Sequence, residues 1–285
     1  MALAVFDIGG TSVKYARWQS DQLSQKGSFA TPETFEEMVL AMKERLQQIP
    51  KVTGVAISSP GAVNVAARQI EGVSAVGYLH FRPIFDELEA ELGLPITIEN
   101  DANCAGISEM VLGAGQHAKH AVFIIIGTGI GGAVFIDRKL HKGRHLFGGE
   151  FGLMKPYGQT ILSKLGTAVN TANAFSQNTG IQLTGMELFA RADAGDEQAK
   201  QYLAAMYDAI GLTLYNLQVA LDPEIVMIGG GVSTREDVIT NIKERLYHYL
   251  AAESVEEIMP EVVACQYQND ANLIGAAIHF EAVMK

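Results

Sequence analysis

The sequence predicts an α/β protein of two related domains facing each other across a cleft. Three observations carry that expectation. Short apolar runs of strand character alternate with helical stretches along all 285 residues, the order that helix-covered sheets produce. The opening turn Asp7-Ile8-Gly9-Gly10-Thr11, set between two strands, is echoed by Gly127-Thr128-Gly129-Ile130-Gly131-Gly132 between two more. No low-complexity linker separates the halves, so the join near Gly113-Ala114-Gly115 reads as a hinge. Clefts between domains are preferred ligand sites.

Strand patterns occupy 3–6, 13–17 and 22–30, and a helical stretch bounded by Pro32 and Pro50 covers 35–49. A strand at 52–58 leads into the turn Ser59-Pro60-Gly61. Residues 82–93 read as a helix with Pro83 in the first turn, where proline is tolerated. A short strand at 95–98 runs into a helix over 100–113. The pattern then restarts with strand 121–126, glycine loop 127–132 and returning strand 133–137. A Gly-rich section at 142–158 precedes helical material at 160–178, 186–192 and 196–221. Strand 224–228 ends in Gly229-Gly230-Gly231, and helix 235–251, strand 261–266 and helix 271–283 close the chain.

Composition narrows the function classes. Apolar residues make up 48% and charged residues 19%, enough for a sizeable core. The net charge of −11 opposes non-specific binding to nucleic acid or an anionic membrane. No apolar run reaches the ~20 residues of a membrane span, and no basic n-region precedes an apolar segment at the start. Cys104 and Cys265 lie far apart and form no CxxC pair, which fits reduced cysteines and a cytoplasmic location.

The first glycine turn suits phosphate, because small residues let backbone amides approach phosphate oxygens. Asp7 beside it can face magnesium or its waters. The same segment is also compatible with an ordinary tight hairpin. Gly127, Gly129 and Gly132 formally match GxGxxG, but a strand pattern follows where a dinucleotide fold needs a helix. Thr128 and the loop amides suit a terminal phosphate instead. Asn100 and Asp101 stand where a strand becomes a helix, so either can serve as N-cap. Asp101 can equally be a general base for an attacking hydroxyl, and capping geometry would also fix its carboxylate. Glu150, flanked by glycines in Gly148-Gly149-Glu150-Phe151-Gly152, can accept hydrogen bonds from sugar hydroxyls or simply be solvated. Gly229-Gly230-Gly231 suits close approach of a flat base or a ribose, or a plain strand-to-helix connection. His141 and His145 lie four apart outside any amphipathic helix, and no HExxH occurs.

Taken together and in order, Asp7–Thr11, Ser59-Pro60-Gly61, Glu99-Asn100-Asp101, 127–132, Gly149–Gly152 and 229–231 resemble the ROK family of sugar kinases over nearly the whole chain. The resemblance implies two actin-like ATPase (RNase-H-like) domains around a central cleft. The first, smaller domain would comprise 1–113 plus about 269–285, and the second 114–268. It implies ATP and Mg²⁺, a sugar acceptor phosphorylated at C6, and a homodimer. Asp101 becomes the catalytic base. Ser59, Gly61, Asn100, Asp101 and Glu150 become the sugar site. Asp7, Ile8, Gly9, Gly10, Thr11, Ser12 and Lys14, with Gly127, Thr128, Gly129, Ile130, Gly131, Gly132, Gly229, Gly230 and Gly231, become the ATP site, Asp7 standing near magnesium.

Two departures are informative. Many ROK members carry a sugar- and zinc-binding His where this chain has Leu153, and the Cys-rich zinc motif is missing from 155–163. No structural zinc is therefore expected. Pro60-Gly61-Ala62-Val63, Gly77-Tyr78-Leu79-His80-Phe81 and the zinc-less Gly-Glu-Phe-Gly element look most like bacterial β-glucoside kinases, whose acceptors are cellobiose-like. N-acetylmannosamine kinase, glucokinase and fructokinase are the alternatives. A sugar-sensing ROK regulator needs a DNA-binding segment for which the residues before Asp7 leave no room. A chaperone- or actin-like ATPase does not need Glu99-Asn100-Asp101.

Overall fold

The computed structural model describes residues 2–284. The chain divides into two compact units, one containing the residues up to 113, 143–147 and those from 269 onward, the other 114–142 and 148–268.

The first unit is built around β1 (Ala2–Ile8), every residue of which is buried. β1 pairs antiparallel with β2 (Ser12–Gln19), which pairs antiparallel with β3 (Gln22–Ala30). The β2–β3 turn places Ser20 and Asp21 at φ 51° and 58°, the conformation that two-residue hairpins favour. On its other side β1 runs parallel to β4 (Val55–Ser59), and β4 parallel to β7 (Ile96–Asn100). Between them the short β5 (Ala62–Asn64) and β6 (Gln69–Glu71) form a separate hairpin.

Alternation along β1 sorts its side chains between the two faces. Ala4, Phe6 and Ile8 join a core with α1 (Phe35–Gln48) and α2 (Ile84–Leu92). Thr34 and Glu37 make a capping box on α1, and Gly93 ends α2 at φ 66°. Asp7, on the opposite face, is reached by Asn272. α3 (Asp101–Val111) packs there against the C-terminal helix, whose range is given below.

The second unit repeats the strand order. β8 (Ala121–Ile126), β9 (Ile130–Ile136) and β10 (Lys139–Leu140) are antiparallel neighbours, and β8 continues through parallel β11 (Ile225–Gly229) and β12 (Glu261–Ala264). Its core adds α4 (Leu162–Leu165), α5 (Ala168–Thr179), α6 (Gly185–Asp193), α7 (Glu197–Leu221) and α8 (Glu236–Ala252). The closing α9 (Ala271–Val283) belongs to the first unit.

Three differences from the sequence expectation have physical causes. β9 begins at Ile130, because Gly131 and Gly132 pair with Ile125 and Ile124. The glycine loop is therefore three residues long. The helical stretch 160–178 is two helices: Gly166 fits closely against Ile130 and Ile210, and Thr167 caps a new start by accepting the Asn170 amide. The β5–β6 hairpin carries no glycine turn. Asn64 Oδ1 accepts the Ala67 amide at 3.0 Å, and Arg68 takes φ 54°.

The α3–α9 crossing is the tightest of these contacts. A Cβ on Gly275 would stand 1.7 Å from the Cys104 carbonyl oxygen. Gly275→Ala is accordingly expected to destabilise the protein by about 3 kcal/mol, read as a lower midpoint in urea unfolding. An unchanged midpoint would contradict the close crossing.

Candidate functional site

The first unit gathers its polar groups at the carboxyl ends of three parallel strands, the usual location of ligands in such sheets. Register puts Asp7 beside Ser58, and Ser58 beside Glu99. Asp7 is 8% exposed. Its Oδ1 accepts from Ser58 Oγ at 2.8 Å and Asn272 Nδ2 at 2.9 Å, while Lys14 Nζ stands 4.0 Å from Oδ2. Both donors to Oδ1 are neutral groups, and Oδ2 is turned toward Lys14. One carboxylate oxygen so presented fits a magnesium ion, which characteristically takes one or two carboxylates plus phosphate oxygens and waters.

The adjoining turn is ordered by its own backbone. The Gly9 amide donates to Ser12 O at 3.0 Å, and Thr31 donates through its hydroxyl to Gly9 O and through its amide to Thr11 O. Gly10 and Thr11 are exposed at the tip. Ile8 is buried in the α1–α2 core, so only its backbone can serve a ligand. Ser12 opens β2.

At the end of β7 the chain turns into α3. Asn100 is the N-cap: its Oδ1 accepts the Asn103 amide at 3.1 Å, and its Nδ2 donates to Gly61 O at 3.0 Å. One side chain thus starts the helix and ties down the Gly61 loop, where φ is 100°. Glu99, 1% exposed, accepts from the Asn100 amide and Asn103 Nδ2. Asp101 is the first helical residue, half-buried, and its Oδ1 accepts the Ala102 amide at 2.8 Å. A negatively charged side chain in a helix's first turn interacts favourably with the helix dipole. Ser59 is fully buried and its hydroxyl donates to Pro60 O, which sets it behind the loop rather than on its surface.

Cys104 lies beneath this row. Burial first, then the charges of Glu99, Asp7 and Asp101, push its thiol well above the ordinary range, with Ser58 opposing weakly. The thiol is therefore a neutral packing group.

In the second unit the loop Gly127-Thr128-Gly129 links β8 to β9. The Gly127 amide donates to Gly129 O at 2.9 Å, and the Ile130 amide to Ser163 Oγ at 3.0 Å. The loop's remaining donors are the Thr128 and Gly129 amides and the Thr128 hydroxyl. The glycines around Glu150 serve packing. A Cβ on Gly132 would meet Phe123 O and the Phe151 ring, one on Gly149 would meet Gly132 O, and one on Gly152 would meet Ile130 O. They press the segment onto β9 and leave Glu150 exposed between them. Partial desolvation by its neighbours still raises the Glu150 carboxyl pKa.

Beside this loop lies a cavity of about 610 Å³ bordered by Thr128, Val169, Met186, Phe189, Gly231 and Arg235. Gly229 ends β11. Gly230 takes φ 91°, and a Cβ there would stand 2.1 Å from Ile126 O, whereas Gly231 faces open space. Arg235 pairs with Asp193 and Asp237 and stacks over the Phe189 ring at 4.7 Å. Met186 is 84% exposed at the start of α6. A largely apolar cavity with a few polar groups at its border has the general character of a small-molecule pocket.

Sequence motifs found the glycines, Asn100, Asp101 and Glu150. They did not find Asn272, Ser163, Met186, Phe189 or Arg235, whose contacts come from partners distant in the chain. Among the described residues, no group of three or more His, Cys, Asp or Glu side chains could hold a metal ion. No described helix is long and apolar enough to cross a membrane.

Two units of one strand order, each opening on a glycine turn, define the actin-like ATPase class of fold. The chain belongs to the ROK family, whose model matches residues 3–283. A β-glucoside kinase of Listeria innocua is 34% identical, covering 98% of this chain and 97% of its own. A ROK family protein from Streptococcus pneumoniae in complex with sucrose superposes with a TM-score of 0.91 at 34% identity, covering 100% and 99% of the two chains. A ROK family glucokinase from Streptomyces griseus, in complex with glucose and AMPPNP, gives 0.81 at 26% identity, covering 98% and 99%.

The environment of Cys104 has a direct chemical consequence. At pH 8 the folded protein is expected to leave Cys104 unlabelled by a thiol-disulfide reagent, because the thiolate is the reacting form. Unfolding in urea should make it react at once. Peptide mapping of the labelled protein checks this, and fast labelling of folded Cys104 would contradict the neutral buried thiol.

Proposed function

We propose that this protein is an ATP-dependent sugar kinase that transfers the γ-phosphoryl group to the C6 hydroxyl of a β-glucoside such as cellobiose. The observation that carries the reading is Asp101, a carboxylate at the first residue of α3, bonded to the Ala102 amide and preceded by an N-cap that also ties down Gly61. In the proposed reaction the acceptor oxygen attacks the γ-phosphorus, the bond to the β-phosphate bridging oxygen breaks, and ADP leaves. Asp101 takes the hydroxyl proton. Gly61, Asn100 and Glu150 hold other sugar hydroxyls, with Ser59 shaping the loop from behind. The exposed turn Gly10-Thr11, Lys14, Thr128 and Gly129 hold phosphates, while Gly230 and Gly231 border the adenosine. Ile8, Gly9, Ser12, Gly127, Ile130, Gly131, Gly132 and Gly229 shape that site through their backbone.

Asp7 would hold magnesium, which when bound neutralises charge on the phosphates. The relatives that are sugar kinases support the activity, the AMPPNP complex of one of them supports ATP, and the sucrose complex of a ROK family protein makes a two-ring ligand reasonable for this fold. The reading extends to a cytoplasmic homodimer without structural zinc.

Asp101→Asn keeps the side-chain shape and an oxygen to accept the Ala102 amide. It is expected to lower kcat about 10³-fold while preserving the thermal midpoint and the KM for ATP. Near-normal turnover would remove Asp101 from the role of base. Acceptor preference is tested by ADP formation with cellobiose, glucose, N-acetylmannosamine and fructose at equal concentration. Cellobiose is expected to give the highest kcat/KM, and a clear preference for a free monosaccharide would overturn the β-glucoside assignment.

A further inference from the structure

His80 occupies a position that packing alone does not account for. Its Nε2 lies 2.7 Å from Ser74 Oγ, yet its Nδ1 is buried with no hydrogen-bond partner. An unpaired buried nitrogen is a cost that a phenylalanine or leucine of similar volume would avoid. The ring's value must therefore lie in the contact that Nε2 makes.

That contact holds the segment 72–77 at both sides of the candidate site in the first unit. On one side, His80 sits against the Gly61 loop: a Cβ on Gly61 would stand 2.7 Å from His80 Cε1. Gly61 in turn accepts from Asn100, the residue before Asp101. On the other side, Ala75 meets the phosphate turn, where a Cβ on Gly10 would stand 2.8 Å from the Ala75 methyl. Ser74 links the two ends. Its hydroxyl oxygen accepts the Val76 amide at 3.2 Å while bonding to His80. The root of the segment is also fixed, since the His80 amide donates to Gly77 O and the Phe81 amide to Ile70 O. Val73 stands at the tip, 94% exposed.

We propose that His80 is a positioning residue for acceptor recognition. Through Ser74 it fixes the segment 72–77 between the Gly10 turn and the Gly61 loop, and the apolar tip at Val73 meets the part of the acceptor beyond the phosphorylated ring. The proposal rests on the sugar-kinase reading for its substrate and on the geometry alone for the Ser74–His80 link. Small displacements of substrate-positioning groups carry large kinetic effects, so the segment can govern acceptor choice without touching the reacting atoms.

Ser74→Ala and His80→Phe remove the link, and His80→Gln retains a polar side-chain end. The first two are expected to speed amide hydrogen exchange at 74–77 in the ligand-free protein. They should raise the acceptor KM about tenfold or more, leave the KM for ATP unchanged, and alter the ratio of kcat/KM between cellobiose and glucose. His80→Gln should recover part of both effects. A purely structural role would instead lower the thermal midpoint and scale down activity with every acceptor alike, and that result overturns the proposal. Unchanged exchange at 74–77 in Ser74→Ala also overturns it, even if His80→Phe fails to fold. Absence of sugar-dependent ADP formation by the unmodified protein would count against the sugar-kinase reading, and the exchange measurement would still decide the link.

Discussion

The first unit depends on satisfying the hydrogen bonds of one carboxylate inside it. Asp7 lies at the end of a strand whose other residues are all buried and apolar, apart from its own 8% exposure. A buried carboxylate is costly unless hydrogen-bonded. Ser58 supplies one donor from the adjacent parallel strand, and Asn272 supplies the other from the last helix of the chain. The second requirement shapes the topology. The first unit cannot be completed by its own contiguous residues, because α9 must return to it after the second unit has been traversed. That return brings Gly275 onto the backbone of α3 and Glu281 to the Trp18 indole N–H at 2.9 Å. The site carboxylate and the chain's discontinuous course are thus two aspects of one constraint.

The two glycine turns resemble each other in sequence and differ in what their glycines do. In the first, Gly9 is fixed by Ser12 and Thr31, while Gly10 and Thr11 are exposed. In the second, Gly132, Gly149 and Gly152 let backbone and the Phe151 ring press onto β9, and Gly230 does the same at Ile126. Gly127, Gly129 and Gly231 by contrast have room around them. Glycine abundance in this half is therefore mainly a matter of close packing, and that packing is what leaves Glu150 standing exposed.

Much of the fold was legible because its signals are local. β3, β8 and α9 begin and end where turn residues and apolar periodicity change. The β5–β6 hairpin was not legible: three-residue strands give too little alternation, and Asn64 and Arg68 make its turn without glycine. β9 was read as starting late because glycine is a poor strand signal, although Gly131 and Gly132 pair regularly. In the site, Asp101 and Asn100 stood out as a strand-to-helix junction. Asn272 could not, since its meaning comes from a hydrogen bond 265 positions away. Arg235 and Phe189 likewise matter as a stacked pair brought together by α6 and the turn after β11.

The junction at Asn100-Asp101 divides its polar contacts between neighbouring residues. Had Asp101 been the N-cap, its carboxylate would have accepted an amide two or three residues further on. The structure gives that task to Asn100, whose amide group has a donor left over for Gly61. Asp101, one residue on, is bonded to the adjacent Ala102 amide and benefits from the same helix terminus. Glu99, on the other side, is buried and braces both Asn100 and Asn103. Of three consecutive polar residues, one supports, one caps and loops back to the neighbouring segment, and one is left half-exposed with a fixed carboxylate. A general base needs that last combination, because orientation must be set before the acceptor arrives.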